Sequence, residues 1–188
     1  MRKIIVGISG ASGSVYGFRL LEALAAADGV QTHLVITEGG RRTMAVESDL
    51  DPAKVEAVAD VVHDDRNLAA SIASGSFGAD AMAVLPCSIK TLSAITTSYS
   101  DNLLTRAADV MLKERRPLIL GVRETPLHKG HLKLMLAAAD IGAVIVPPMV
   151  ALYNHPKTVE EVIDHGVGKV LDMLGVDNAL YRRWDGER

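Results

Sequence analysis

Ile4-Ile5-Val6-Gly7-Ile8, followed at once by Ser9-Gly10-Ala11-Ser12-Gly13, decides the reading of this chain. The first five residues are apolar and mostly β-branched, with no polar alternation. That pattern predicts a strand buried on both faces. The next five are small and form a loop. Val15, Phe18, Leu20, Leu21 and Leu24 then recur at helical spacing as far as Asp28-Gly29. The unit strand, small-residue loop, helix repeats outward along the chain. Thr32–Ile36, Ala81–Leu85, Leu118–Val122 and Ala143–Val146 read as further short buried strands, the third stopped by Pro86 and the fourth opened by Pro117. Helical stretches lie between them: Arg41–Glu47; Pro52–Ala59, with Asp51 as cap and Pro52 at the first position; a helix from a Ser88 cap through Thr91, Leu92 and Ile95; Leu103–Glu114; and one through Leu132–Leu136. Thr158 caps a last helix, with Glu161 completing a capping box. This alternation predicts an α/β fold, a parallel sheet with helices on both faces.

The remaining bounds are simple. A chain of 188 residues fits one domain, taken as 1–188 with a C-terminal tail from about 176. Hydrophobic residues make up 48% and charged residues 23%, which excludes a disordered or fibrous chain. A net charge of −3 provides no basic field for nucleic acid. The single cysteine, Cys87, excludes a disulfide framework or a Cys-rich metal knuckle. The apolar stretch Ile141–Leu152 is too short to span a bilayer and contains Pro147-Pro148. Met1-Arg2-Lys3 leads into a brief apolar run with no cleavage site. The expectation is a soluble cytoplasmic protein with no membrane contact.

Ligands of such sheets bind beyond the carboxyl ends of the strands. The segments there are Ser9–Gly13, Thr37-Glu38-Gly39-Gly40, Pro86-Cys87-Ser88, Arg123-Glu124-Thr125-Pro126 and Pro147-Pro148-Met149. Ser9–Gly13 is either a tight turn or a phosphate cradle at a helix N-terminus. Its glycine spacing is neither the dinucleotide fingerprint nor a P-loop. Ser88-Ile89-Lys90-Thr91 offers a second cradle, or a plain helix cap. Glu38 follows a strand where a dinucleotide enzyme holds a ribose. Arg123-Glu124 is a surface ion pair or an acid–base pair. Glu47 ends a helix. Cys87 is a nucleophile at a helix start or a buried small residue. His128 and His131 lack a third metal ligand at a recognisable spacing. Tyr153 either flanks a ligand or packs. Lys169 is otherwise a solvated charge. Trp184, beside Arg182 and Arg183, covers its own domain or a neighbour.

Gly7–Gly13, Ser74-Gly75-Ser76-Phe77, Pro86–Leu92, Arg106-Ala107-Ala108-Asp109-Val110, Leu112–Pro117, Arg123–Leu127, Gly142–Ile145 and Arg183-Trp184 together resemble, in order, the UbiX-type flavin prenyltransferases. The likeness runs nearly the full length. It implies a three-layer Rossmann-like or flavodoxin-like subunit and a homododecamer. It implies reduced FMN as substrate, alkylated at N5 and C6 by dimethylallyl phosphate. The product, prenylated FMN, serves a UbiD-type decarboxylase, in many bacteria for ubiquinone synthesis, and no metal is needed. By the same likeness Gly10, Ala11, Ser12, Thr37, Ser88, Ile89, Lys90, Thr91 and Arg123 bind FMN. Arg106, Lys113, Tyr153 and Lys169 hold dimethylallyl phosphate, with Glu124 nearby as an acid for the leaving phosphate. Glu47 and Ser12 handle the proton at ring closure. Tyr153, with Trp184 from a neighbouring copy, faces the allylic cation with π density.

Two positions depart from the usual pattern, Thr37 replacing Ser and Lys169 replacing Arg, and the tripeptide Glu38-Gly39-Gly40 also differs from the common Lys-Ala-Ala. Lysine at 169 exchanges a bidentate fork for a point charge. The related flavin-dependent cysteine decarboxylases carry an early catalytic His, and none lies between Ser14 and Thr32. The alternative reading is an FMN-binding accessory subunit or carrier for an aromatic acid decarboxylase.

Overall fold

Alternation along the first strand, β1 (Arg2–Ile8), sends Ile4, Val6 and Ile8 to one side of a sheet and Ile5 to the other. Each side needs a helical cover, and the chain supplies one. A computed structural model describes residues 1–48 and 50–186. After β1 come α1 (Ser14–Ala25), β2 (Val30–Ile36), α2 (Glu38–Glu47), α3 (Pro52–Glu56) and β3 (Val61–His63). The second half holds β4 (Ala81–Cys87), α4 (Ile89–Thr96), α5 (Leu103–Lys113), β5 (Leu118–Val122), α6 (Lys129–Asp140), β6 (Val144–Ile145) and α7 (Val159–Leu174). The strands form one parallel six-stranded sheet in the order β3-β2-β1-β4-β5-β6. Helices α1 and α7, with Met44 of α2 and Val55 of α3, bury the Ile4 side. Helices α4 and α5, with Ala138 of α6, bury the Ile5 side. The α/β expectation, with helices on both faces, is borne out. The strand order reverses between β1 and β4, which opens a crevice at their carboxyl ends.

Helix α1 lies unusually close to the strands beneath it. A Cβ on Gly17 would stand 2.2 Å from the Leu85 carbonyl oxygen and 2.8 Å from Ile8 Cγ1. Gly17→Ala therefore forces the helix off the sheet, at a cost of about 2 kcal/mol or more. A urea midpoint equal to that of the parent would contradict this packing.

Several boundaries differ from expectation, each for a physical reason. Strand β3 was not anticipated: three half-exposed residues at a sheet edge carry no periodicity to read. Helix α2 begins at Glu38 rather than Arg41. Thr37 Oγ1 accepts the Gly40 N–H at 3.0 Å and starts the helix despite two glycines. Gly40 has little freedom to be otherwise, because a Cβ there would lie 2.6 Å from the Ile8 carbonyl. Strand β4 runs through Pro86, since its ladder with β5 is interrupted between Val84 and Cys87 and needs no N–H there. Strand β6 keeps only two of four expected residues. Thr158 accepts the Glu161 N–H at 3.2 Å, but the Glu161 carboxylate takes the Lys157 N–H, so the capping box is half formed. The Asp51 and Ser88 caps form as expected. Among the described residues, no helix is long and apolar enough to cross a membrane.

Candidate functional site

The crevice is built around one buried hydroxyl. Ser9, 1% exposed, donates its N–H to the Pro86 carbonyl at 3.2 Å and its Oγ–H to the same oxygen at 2.9 Å. Its Oγ accepts the Ser88 N–H at 2.8 Å. The loops after β1 and β4 are thus stapled together where the strand order reverses. On the other side, Thr37 N–H donates to the Ile8 carbonyl at 3.0 Å, tying the start of α2 to the end of β1. Ser88 Oγ accepts the Thr91 N–H at 3.2 Å and caps α4. The N-termini of α2 and α4, with their unpaired N–H groups, therefore converge. Gly10 lies between them so closely that a Cβ would come within 3.0 Å of Gly39.

These elements enclose a cavity of about 670 Å³ lined by Gly10, Thr37, Ser88, Ile89, Lys90, Thr91 and Glu124 among others. That volume falls within the range of about 300–1,000 Å³ typical of small-molecule and cofactor sites. Its rim is charged. Glu38 pairs with Arg42 and Arg66, so its carboxylate is engaged by guanidinium groups. Lys90 pairs with Asp101 at 3.4 Å. Asp65, unnoticed in the sequence, accepts the Leu104 N–H at 3.1 Å and the Asn102 amide at 3.0 Å, so it anchors α5 at the rim. Burial, only partly offset by those hydrogen bonds, raises its carboxyl above the usual range. Ser9 itself was legible only as one small loop residue.

Ala11, Ser12, Glu47 and Arg123 are not among the residues that line this cavity. Glu47 returns from the end of α2 to accept the Gly13 N–H at 3.0 Å, one residue from Ser12. Ala11 N–H closes a tight turn onto the Ser9 carbonyl at 2.9 Å. Glu124 accepts the Thr125 N–H at 2.9 Å. Arg123 donates its backbone N–H to the Cys87 carbonyl and extends an exposed side chain.

A second group gathers elsewhere. Lys169, His165, Tyr16 and the Val146–Ala151 segment line a cavity of about 190 Å³. Tyr153, Arg182, Arg183 and Trp184 line another of about 210 Å³. Trp184 meets Tyr153 of its own chain edge to face, with ring centroids 5.9 Å apart. Lys169 Nζ stands 3.9 Å from Asp172. Gly10 lines the large cavity and Tyr16 the small one.

Arg106 and Lys113 are not brought to the large cavity. Arg106 donates to the Ala73 carbonyl at 3.1 Å and pairs with Asp109 at 3.0 Å. Lys113 ends α5, whose eleven residues carry it about 16 Å from the cavity rim. It pairs with Glu114 at 2.6 Å, whose carboxylate lies beside Gly75. Cys87 is fully buried and its thiol is pushed up to about 12, which removes it as a nucleophile. His128 Nδ1 accepts the Gly130 N–H and caps α6, and no cluster of metal-ligating residues occurs among the described residues.

Residues 1–173 match the Flavoprotein family. Flavin prenyltransferase UbiX of Salmonella typhimurium is 56% identical over 188 residues, covering 99% of this chain and all of that protein. The chain belongs to the UbiX flavin prenyltransferase family. Solved members share its shape. AnUbiX (PadA1), in complex with FMN and dimethylallyl pyrophosphate, superposes with a TM-score of 0.97 at 45% identity, over 100% of this chain and 99% of that one. A dodecameric FMN-dependent UbiX-like decarboxylase from Escherichia coli O157:H7 superposes at 0.95 with 47% identity, over 98% of this chain and 100% of that one. The resemblance in the sequence motifs is therefore borne out, as is the Rossmann-like subunit of the UbiX family.

Proposed function

We propose that this chain joins the dimethylallyl group of dimethylallyl phosphate to N5 and C6 of reduced FMN. The observation that carries the reading is the convergence of two helix N-termini and Gly10 on one cavity of about 670 Å³. FMN fits what is there. The capped starts of α2 and α4 offer N–H groups to a phosphate, the Gly10–Gly39 approach leaves backbone exposed to a flat ring, and Thr37 keeps a hydroxyl hydrogen free to donate. Gly10, Ala11, Ser12, Thr37, Ser88–Thr91 and Arg123 would hold it. Reduced FMN supplies the nucleophilic nitrogen.

Breaking the allylic C–O bond leaves the electron pair on the phosphate, whose growing charge Arg106, Lys113 and Lys169 offset. Glu124 delivers a proton to that phosphate. Tyr153 and Trp184 face the allylic cation. N5 bonds to the allylic carbon and gives up its proton. The remaining C=C bond then takes up a proton, and C6 bonds to the tertiary carbon so formed. Glu47 and Ser12 handle the protons moved at ring closure, including the one C6 loses. One chain does not gather these groups, so the reading includes an assembly of like chains, a dodecamer by likeness to the E. coli O157:H7 protein, in which another copy delivers Lys113. On this reading the product passes to a UbiD-type decarboxylase.

The test is phosphate release. Inorganic phosphate should appear with reduced FMN, one per flavin consumed, and not with oxidised FMN. Flavin binding without phosphate release would contradict transfer and indicate a carrier. The staple at Ser9 has its own consequence. Ser9→Ala leaves the Ser88 N–H without its acceptor and loosens the cradle, so the Kd for FMN, read by fluorescence quenching, should rise about tenfold. An unchanged Kd would remove Ser9 from that role.

A further inference from the structure

We infer that His165 is a positioning residue for Tyr153, fixing the aromatic wall against which the dimethylallyl group reacts. The inference rests on the function proposed above and adds a residue to it.

Tyr153 lies in a segment that is neither helix nor strand, and the residue is 43% exposed. Its own backbone does little to hold the ring. Two neighbours do. Trp184 meets it edge to face, and Tyr153 Oη lies 2.8 Å from His165 Nε2, with the two rings nearly perpendicular at 83°. Trp184 sits on the tail and is itself 65% exposed. His165 is only 9% exposed and belongs to α7, whose neighbouring Val167, Val170 and Leu171 are buried against the sheet. The rigid end of the Trp184–Tyr153–His165 chain is therefore His165.

His165 is in turn fixed from behind. Tyr181 meets it edge to face at 4.8 Å, and Tyr181 donates its hydroxyl hydrogen to Asp172. Asp172 also takes two guanidinium contacts from Arg183, at 2.7 and 3.0 Å, which tie the tail to α7. Burial, and then the Lys169 ammonium one turn along α7, hold His165 below the ordinary histidine range, so the imidazole is neutral. A neutral imidazole and a phenol make one hydrogen bond whichever of them carries the shared proton. His165 and Lys169 line the same small cavity, while Tyr153 lines its neighbour, so the bond joins the walls of the two. Without it, Tyr153 is free to leave the orientation in which its ring faces a cation.

The test is a double-mutant cycle on the full-length protein with reduced FMN and dimethylallyl phosphate. His165→Phe keeps a ring between Tyr153 and Tyr181 but removes the hydrogen bond. It should lower kcat about tenfold. His165→Gln restores a polar partner and should recover most of that loss. The Kd for FMN should not change in either variant, because FMN binds at the other cavity. Tyr153→Phe combined with His165→Phe should be no slower than the slower single variant. Additive losses, or a His165→Phe protein as fast as the parent, would overturn the assignment alone. So would loss of FMN binding in His165→Phe, which marks a structural role. A parent protein that leaves FMN unmodified would overturn the proposed function and the assignment with it.

Discussion

Lys113→Ala should lower prenyl transfer by about a hundredfold or more while leaving the Kd for FMN unchanged. The first half follows from the cation's role against the leaving phosphate. The second follows from position, since Lys113 stands at the far end of α5 from its own chain's cavity. Its pairing with Glu114 is exposed and contributes little to stability, so the variant should fold normally. Position also dictates a complementation result. Glu124→Gln should be nearly inactive, because Glu124 lines the cavity. Coexpressing Lys113→Ala and Glu124→Gln chains should restore measurable turnover, since some sites then draw Lys113 and Glu124 from intact copies. Mixed assemblies as inactive as their parents would mean that the two residues do not meet across a subunit boundary.

Stability should begin to fall above the pH at which carboxylates titrate, and His33 is the cause. It is 3% exposed on β2, 3.0 Å from His63 Nε2, with its ring edge to face with Phe77. Burial, then His63 and Lys3, push it from 6.5 down to about 4, with Asp60 opposing weakly. The unfolded chain binds a proton at His33 near pH 6.5 and the folded chain does not. Stability is therefore complete above that pH and falls as the pH drops towards about 4, by up to about 3 kcal/mol for the whole window. Asp60, held below its ordinary 3.8 by the Thr32 N–H and hydroxyl, adds a loss only at lower pH. In urea unfolding, His33→Gln should flatten the slope between these values. A parent protein equally stable across the window would contradict the burial of a neutral His33.

How legible was this in the sequence? Continuous β-branched apolar runs such as Ile4–Ile8 and Leu118–Val122 mark buried parallel strands because no polar alternation is needed when both faces are covered. Caps are equally local, so Ser88 and Asp51 were readable. Thr37 was not read as a cap, because two glycines follow it and their helical state depends on contact with Ile8. Strand β3 exists only because β2 offers it an edge. Within the site, Gly10, Thr37, Ser88 and Glu124 were placed at one end of the sheet because each follows the carboxyl end of a strand. The hydroxyl of Ser9 was invisible, since its bridge joins residues nearly eighty positions apart. Arg106 and Lys113 received their roles only through likeness to a family, as did Lys169, which by itself reads as a solvated charge; no local pattern distinguishes the three. His165 carries no sequence signal either, because its partner Tyr153 lies on an irregular segment twelve residues earlier.

The central claim is a bond between flavin and a C5 group, and mass spectrometry reads it directly. Purified protein, FMN, dithionite and dimethylallyl phosphate are mixed without oxygen, and the flavin is extracted and weighed. The account predicts a flavin heavier by one C5H8 unit, formed only when protein and dimethylallyl phosphate are both present. Bound FMN of unchanged mass, with the monophosphate and with the diphosphate, would contradict it.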